Sequence, residues 1–249
     1  MEMKKPVKII THDGIFHADE VFAIALISTL FDQEFEIVRT RNILPEWYSN
    51  PDVWVIDVGG KYDPEMGNFD HHHDESLPAS CMLMFYHLID MMSEDLSKAL
   101  KDTLSEISHI DCKGLDGANG FQVNSLIKNL NSLDNGFTTA LSIGSSYMQS
   151  CIENAKEAEK SLFLWNTAEK IGPNIRIVDG YPINWKSYPE CRFLIFPDKG
   201  KYTVLSSNSA LYPLVQSYGC EFIHKGKFIA VYADAIDAIK CAMVSDSCS

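Results

Sequence analysis

The sequence predicts an α/β protein whose N-terminal part is built on a parallel sheet. Short apolar segments that resemble strands flank a helix-like segment, and clusters of histidine and carboxylate residues follow two of these strands directly. The segment 53–58 is almost continuously apolar, which is typical of a strand buried on both faces of a parallel sheet. Because ligands of open α/β sheets bind outside the carboxyl ends of the strands, the polar clusters mark the expected functional edge.

The N-terminal elements follow from the local pattern of apolar residues. We expect strands over 7–10, 35–39 and 53–58, and an apolar helix over 19–30 between the first two strands. Asp19 and Glu20 would lie in the first turn of this helix, where carboxylates interact favourably with the helix dipole.

The middle of the chain is predicted to be helical, and the remainder mixes short strands with one helix. The predicted helices are 81–92, 95–110 and 138–171; the predicted strands are 175–178, 192–196, 202–205 and 221–223; a closing helix spans 234–244, with Ile236, Ile239 and Met243 on one face. The pair Gly172-Pro173 ends the last helix of the middle region. We therefore expect two domains, 1–172 and 173–249.

Composition and net charge limit the kinds of partner that the protein is expected to bind. The chain has 249 residues and a formal net charge of −13, which argues against binding of extended duplex nucleic acid but leaves room for a short single strand in a local cationic pocket. Its seven cysteines are scattered and never spaced as CxxC, so reduced thiols in a cytoplasmic or nuclear protein are expected. No apolar stretch suits a membrane span or a signal peptide, so no membrane partner is expected.

Three clusters carry the chemistry. They are His12, His17 and Asp19 in THDGIFHADE, Asp57 at the end of the third strand, and the run Asp70-His71-His72-His73. Imidazole and carboxylate together suit zinc, manganese or iron(II), and shared carboxylates would support two ions about 3.5–4 Å apart. Taken alone, the first two clusters have alternative interpretations. The first could be a solvated loop with a capping aspartate, and Asp57 could be a turn residue before Gly59-Gly60.

Cationic residues supply candidates for substrate contacts. Arg39 and Arg41 leave the second strand at the same edge of the sheet, where arginine suits bidentate binding of phosphate, although two surface arginines would look the same. His224 and Lys227 lie in a basic stretch that could form a substrate-binding hairpin. His87 lies among apolar residues of a helix, where a structural role is expected.

Taken in order, these motifs resemble those of the MYG1 family, also called UPF0160 or metal-dependent protein hydrolase, which is similar to the DHH phosphoesterases. The resemblance rests on THDGIFHADE, EIVRTR, VIDVGGKYDPE and FDHH, and continues in the segments 184–186, 196–198 and 219–224. It implies a parallel-sheet, DHH-like N-terminal domain that binds metal and a smaller C-terminal α/β domain that binds substrate.

The resemblance also implies a function and a set of ligands. The expected activity is that of a 3′–5′ exonuclease on single-stranded RNA or short oligonucleotides, with two manganese ions and with the mitochondrion as a further location. His12, His17 and Asp57 would hold one ion. The second would be held by Asp19, Asp57, His71 and a later aspartate, either Asp111 or its rival Asp116. His72 would face the scissile phosphate, with Arg39 or Arg41 stabilising the developing charge.

The sequence departs from the family pattern in its C-terminal hairpin. The family has FIGG where this chain has Phe228-Ile229-Ala230-Val231, and the lost glycines would let backbone N–H groups approach a phosphate closely. His73 and Asn42 also differ from the residues that the family usually has at these positions. Two alternatives therefore accompany the exonuclease: a catalytically weak, metal-containing protein that binds a nucleotide or a partner, and a hydrolase of small phosphates.

Overall fold

The computed structural model describes residues 5–114, 122–183, 185–187, 191–207, 211 and 219–248. The chain divides into two compact units, Met1–Ala155 and Lys156–Ser249. The sequence analysis places a domain boundary near Gly172 instead, and a division at that residue stays a prediction. Asp116, the rival ligand, and Asn184 lie outside the described residues.

The first unit contains a five-stranded sheet. Its strands are β1 (Lys8–Thr11), β2 (Glu36–Arg39), β3 (Val53–Ile56), β4 (Tyr62–Asp63) and β5 (Asn68–Phe69), in the order β2-β1-β3-β5-β4. All pairs are parallel except that of β4 with β5. The predicted α/β class with a mainly parallel sheet is confirmed. The carboxyl ends of β1, β3 and β5 meet at one edge, which is where the polar clusters begin.

Five helices accompany this sheet. They are α1 (Ala18–Phe31), α2 (Ser80–Leu88), α3 (Glu94–Lys113), α4 (Val123–Asn129) and α5 (Gly136–Asn166), the last of which continues into the second unit. Every residue of α1 from Ala18 to Ile27 is buried, because the helix is apolar on all sides and is enclosed by its neighbours. The predicted helices are thus present, with ends shifted by a few residues.

His87 has the structural position that the sequence analysis expects. Its ring packs against Trp54 and Phe69, with centroid distances of 5.4 and 4.9 Å. Burial lowers the pKa of this imidazole, since the charged form is poorly solvated there.

We expect His87→Gln to reduce the loss of stability on acidification. His87 is neutral when folded, so its contribution to stability is present above the ordinary pKa of histidine and is lost as the pH falls towards its lowered value. The free energy of unfolding should therefore fall less between pH 7.5 and pH 5 in His87→Gln than in wild type. Urea unfolding of both proteins at pH 7.5 and pH 5 measures it, and His109→Gln, at an exposed position of α3, serves as the control. An identical pH dependence in His87→Gln and wild type would contradict the prediction.

The second unit contains a six-stranded mixed sheet and a closing helix. The strands are β6 (Glu169–Lys170), β7 (Ile175–Ile177), β8 (Phe193–Asp198), β9 (Lys201–Ser206), β10 (Cys220–Ile223) and β11 (Ile229–Tyr232), in the order β10-β11-β9-β8-β7-β6, followed by α6 (Ala235–Ser247). This is the smaller α/β domain that the resemblance implies. Among the described residues, no helix has both the length and the apolar character needed to cross a membrane.

The face of the closing helix that carries Ile236, Ile239 and Met243 is not the face that packs most tightly on the sheet. Ala238, Cys241 and Ala242 are buried against the sheet, whereas Ile236 and Met243 are largely exposed. Small side chains let the helix approach the strands closely, so packing rather than side-chain size decides which face is covered.

Candidate metal centre

The site forms where three strands of the first unit end. His12 follows β1 directly, Asp57 follows β3, and Asp70 and His71 follow β5. Parallel neighbours carry these positions to the same edge, which explains why residues far apart in sequence converge. The first turn of α1 adds Asp19 and Glu20, and the last turns of α3 add Asp111.

A first group surrounds the Nε2 atom of His12. This atom lies 3.0 Å from Oε1 of Glu20 and 3.5 Å from Oδ2 of Asp57. Nδ1 of the same ring lies 2.9 Å from the carbonyl oxygen of Asp13. A proton on Nδ1 shared with that carbonyl leaves the Nε2 lone pair available for a metal. His17 completes this group, whose ligand atoms all lie within 4.8 Å of one another.

A second group surrounds the Nε2 atom of His71. It lies 3.3 Å from Oδ1 of Asp57, 3.4 Å from Oδ2 of Asp111 and 3.9 Å from Oδ2 of Asp19. The atom is buried and makes no hydrogen bond of good geometry. A buried nitrogen without a hydrogen bond, surrounded by three carboxylates, fits a binding site for a divalent cation.

Asp57 connects the two groups. Its Oδ2 atom faces His12 and its Oδ1 atom faces His71, so one carboxylate contacts both clusters. Its backbone has φ = 57°, a left-handed conformation that aspartate and asparagine tolerate better than most residues. Strained backbone of this kind persists where the surrounding structure demands it and is concentrated at functional sites.

Asp19 is held from behind by the start of α2. Its carboxylate accepts hydrogen bonds from the backbone N–H groups of Ser80 (2.9 Å) and Cys81 (2.7 Å). Burial raises the pKa of Asp19, and the negative charges of Asp57 and Asp111 raise it further. A divalent cation would reverse this effect by stabilising the ionised form.

Without a bound metal, protonated histidines balance the negative charge of the carboxylates. Hydrogen bonds to Asp57 and Glu20 raise the pKa of His12 to about 10. For His71, burial lowers the pKa, but the nearby carboxylates of Asp111 and Asp57 outweigh it and raise the value to about 11. The pKa of Asp57 is lowered in spite of its burial because both histidines contact it. The carboxylates at both positions thus favour nearby positive charge, which a bound divalent cation would also supply.

His72 is oriented by Asp70 at the rim of the site. Its Nδ1 atom lies 2.7 Å from Oδ1 of Asp70, which also accepts from the backbone N–H of His72, while Oδ2 accepts from the N–H of Gly60. This contact raises the pKa of His72. With Nδ1 engaged and 62% of the side chain exposed, the Nε2 side of the ring remains available to a substrate.

The two arginines differ in what they contact. Arg39 donates from Nε to the carbonyl oxygen of His12 (3.2 Å) and from Nη2 to that of Gly14 (2.8 Å), and its guanidinium lies 4.4 Å from the ring centroid of Phe137. Arg41 pairs with Asp13 at 3.2 Å, is 70% exposed, and lines a cavity of about 540 Å³ together with the metal-centre residues. Of the two arginines, Arg41 lines the cavity, whereas Arg39 contacts the loop that carries His12 and His17.

Sequence reasoning assigned no role at the site to two residues that the structure places there, Glu20 and Asp70. Glu20 is fully buried, accepts from the backbone N–H of His17 at 3.0 Å, and approaches His12. The spacing of His17 and Glu20, three residues apart before an apolar run, is the signature of a capping box and could have indicated it.

His224 and Lys227 lie in the second unit. The ring of His224 packs on Phe228 at 4.1 Å, and its Nδ1 atom accepts from the N–H of Gly226. Lys227 has a left-handed backbone in the same turn. Their role in substrate binding stays a prediction.

Comparison with known proteins agrees with the motif analysis. Residues 8–81 match MYG1_exonuc, described as an uncharacterised protein family (UPF0160). The "MYG1 exonuclease" of Homo sapiens is 46% identical over 72 residues, which is 28% of this chain and 18% of the relative. The "MYG1 protein" of Chlamydia trachomatis serovar D is 37% identical over 145 residues, which is 55% of this chain and 49% of the relative. The matches thus cover half or less of these relatives, and the resemblance to the MYG1 family is confirmed over that part.

Two solved structures are similar along most of the chain. The pGpG-specific phosphodiesterase PggH from Vibrio cholerae is 12% identical, with 96% of this chain and 98% of that chain covered and a TM-score of 0.35. Exonuclease RecJ bound to manganese is 13% identical, with 96% and 89% covered and a TM-score of 0.33.

Proposed function

Since residues 8–81 carry the MYG1 family pattern, we propose that this chain is a metal-dependent phosphodiesterase with two divalent ions, manganese being the expected metal. The observation that carries the proposal is Asp57, whose two carboxylate oxygens face two separate groups of metal-ligating side chains. A shared carboxylate between two such groups is typical of two-metal phosphoesterases.

The ligands divide between the two positions. His12, His17 and Asp57 would hold the first ion, and Asp19, Asp57, His71 and Asp111 the second. Glu20 lies close enough to His12 to join the first set or to orient that ring. Bound divalent ions would act as Lewis acids on the phosphoryl oxygens and lower the pKa of a coordinated water.

Side chains of the protein would bind the phosphate and transfer protons. Arg41 reaches the cavity and would bind a phosphate oxygen of the substrate. His72, held by Asp70 and favoured in its protonated form, would stabilise the developing negative charge and give a proton to the leaving oxygen from Nε2. Arg39 would hold the loop that carries His12 and His17 rather than contact the phosphate.

The substrate we propose is a short single-stranded RNA or oligonucleotide, degraded from the 3′ end. The names of the MYG1 relatives support an exonuclease. The net charge of −13 disfavours long polyanions, so dinucleotides and short oligomers should be degraded better than long RNA. The same charge leaves a hydrolase of small phosphates as the competing possibility.

Metal content and turnover test the proposal together. The protein is loaded with Mn²⁺, desalted, analysed for metal by mass spectrometry, and then incubated with 5′-labelled RNA oligomers of two to twenty nucleotides and with pyrophosphate. About two ions per chain and stepwise shortening from the 3′ end support the proposal. Hydrolysis of pyrophosphate alone would favour the small-phosphate enzyme, and metal retention without any turnover would favour the binding protein.

We expect Asp19→Asn to abolish hydrolysis while the protein remains folded. The amide loses one metal ligand and turns its NH₂ group towards one of the two N–H donors of α2, at a cost of about 1–3 kcal/mol. The rise in melting temperature on adding Mn²⁺ should disappear together with activity. Asp95→Asn, in the first turn of α3, is the matched control and should keep both. An Asp19→Asn protein with normal turnover would refute the assignment of this ligand.

A further inference from the structure

The second unit contains a cavity of about 670 Å³ on one face of its sheet. The other face is covered by α6, against which Ile195, Val204 and Ala230 are buried. Because side chains alternate along a strand, the neighbouring residues Thr203, Leu205 and Val231 point to the opposite face and line the cavity. The cavity is thus a feature of the sheet surface that α6 does not cover.

Aromatic and aliphatic side chains dominate its lining. Tyr181 and Phe196 contribute adjacent rings with centroids 5.3 Å apart, and Trp185 and Phe228 also line the space. The charged residues of the lining are one lysine, Lys186, and one aspartate, so their charges cancel. A phosphate would find no excess of positive charge here, whereas a flat, uncharged ring would find aromatic surfaces to stack on.

We propose that this cavity binds the nucleobase of a nucleotide substrate, an inference that rests on the proposed function. Pockets for small ligands are typically apolar with a few polar groups that fix orientation. Thr203 and Ser206 provide hydroxyl groups in an otherwise apolar lining, which suits the polar edge of a heteroaromatic ring better than an alkyl chain.

The two residues that replace the family's glycines differ in their surroundings. Ala230 is buried on the α6 side of β11 and does not reach the cavity, whereas Val231 lines it. The isopropyl group of Val231 adds apolar surface to the lining of the cavity. This replacement favours contact with a ring over contact with a phosphate oxygen.

The inference is tested by saturation-transfer NMR on the whole chain, with adenosine and ribose 5-phosphate as probes. EDTA keeps the protein free of metal. Adenosine should receive saturation at its ring protons, and ribose 5-phosphate should not bind. Val231→Trp fills the cavity and should abolish adenosine binding. Tyr181→Ala, at a half-exposed position that should tolerate truncation, should weaken binding at least about fivefold, the lower end of what one stacking ring contributes. Ile236→Trp, on the exposed side of α6, is the control and should bind as wild type.

The results separate this inference from the proposed function. Absence of adenosine binding, equal binding of ribose 5-phosphate, or unchanged binding in Tyr181→Ala would overturn the base pocket, even if Mn²⁺-dependent hydrolysis were intact. Adenosine binding that Val231→Trp loses and Tyr181→Ala weakens would support the pocket even if no phosphodiester were hydrolysed. If circular dichroism shows that Val231→Trp does not fold, Tyr181→Ala alone decides.

Discussion

Replacing Asp57 by asparagine should remove both of the proposed metal ions and reduce the proposed phosphodiesterase activity at least about 100-fold, because even residues beyond the direct ligands typically cost about 10–100-fold in metal affinity or activity. Asp57 contacts both His12 and His71, so its loss should affect the two groups at once. Asparagine keeps the shape of the side chain and tolerates the left-handed backbone at this position, whereas alanine would add strain.

Metal analysis after desalting and initial rates on a dinucleotide measure this effect. Asp63→Asn, a carboxylate on β4 of the same sheet that pairs with Lys61, is the control and should retain two ions. Loss of only one ion in Asp57→Asn would mean that the carboxylate is not shared, and unchanged metal content would remove Asp57 from the site altogether.

Replacing Arg39 by lysine should weaken metal binding by about 10–100-fold, the range found when residues that orient metal ligands are removed. Lysine keeps the charge but lacks the planar guanidinium that reaches the carbonyl oxygens of His12 and Gly14 from two separate nitrogens and stacks on Phe137. The loop is also held from the other side by Asn131, which exchanges two hydrogen bonds with the backbone of Phe16, so it should loosen rather than unfold.

Arg41→Ala should produce the opposite pattern. Its ion pair with Asp13 is exposed and contributes little to stability, so metal affinity should stay normal while KM for the phosphodiester rises. Titration with Mn²⁺ and measurement of KM and kcat on both variants separate the two roles. If Arg39→Lys raised KM with full metal affinity, Arg39 would contact the substrate after all.

The sequence alone was sufficient to predict the α/β class, the parallel sheet and the residues that meet at its edge. Runs such as 53–58 determine buried strands by composition, and His12, Asp57 and His71 each follow a strand directly, so the topology of a parallel sheet brings them together. The face of the closing helix that becomes buried was not predictable in this way. Packing against the sheet buries Ala238 and Ala242 and leaves Ile236 exposed.

Only the tertiary structure decided which side chains touch. Sequence spacing could not distinguish Arg39 from Arg41, because the difference lies in Phe137 and two carbonyl groups that folding brings near one guanidinium only. It could not show that Glu20 approaches His12, that Asp70 orients His72, or that Val231 lines a cavity while Ala230 packs under α6. The local sequence shows which types of metal-ligating side chain are present. Their orientation, burial and hydrogen bonding depend on contacts between distant segments, and these contacts determine what each residue can do.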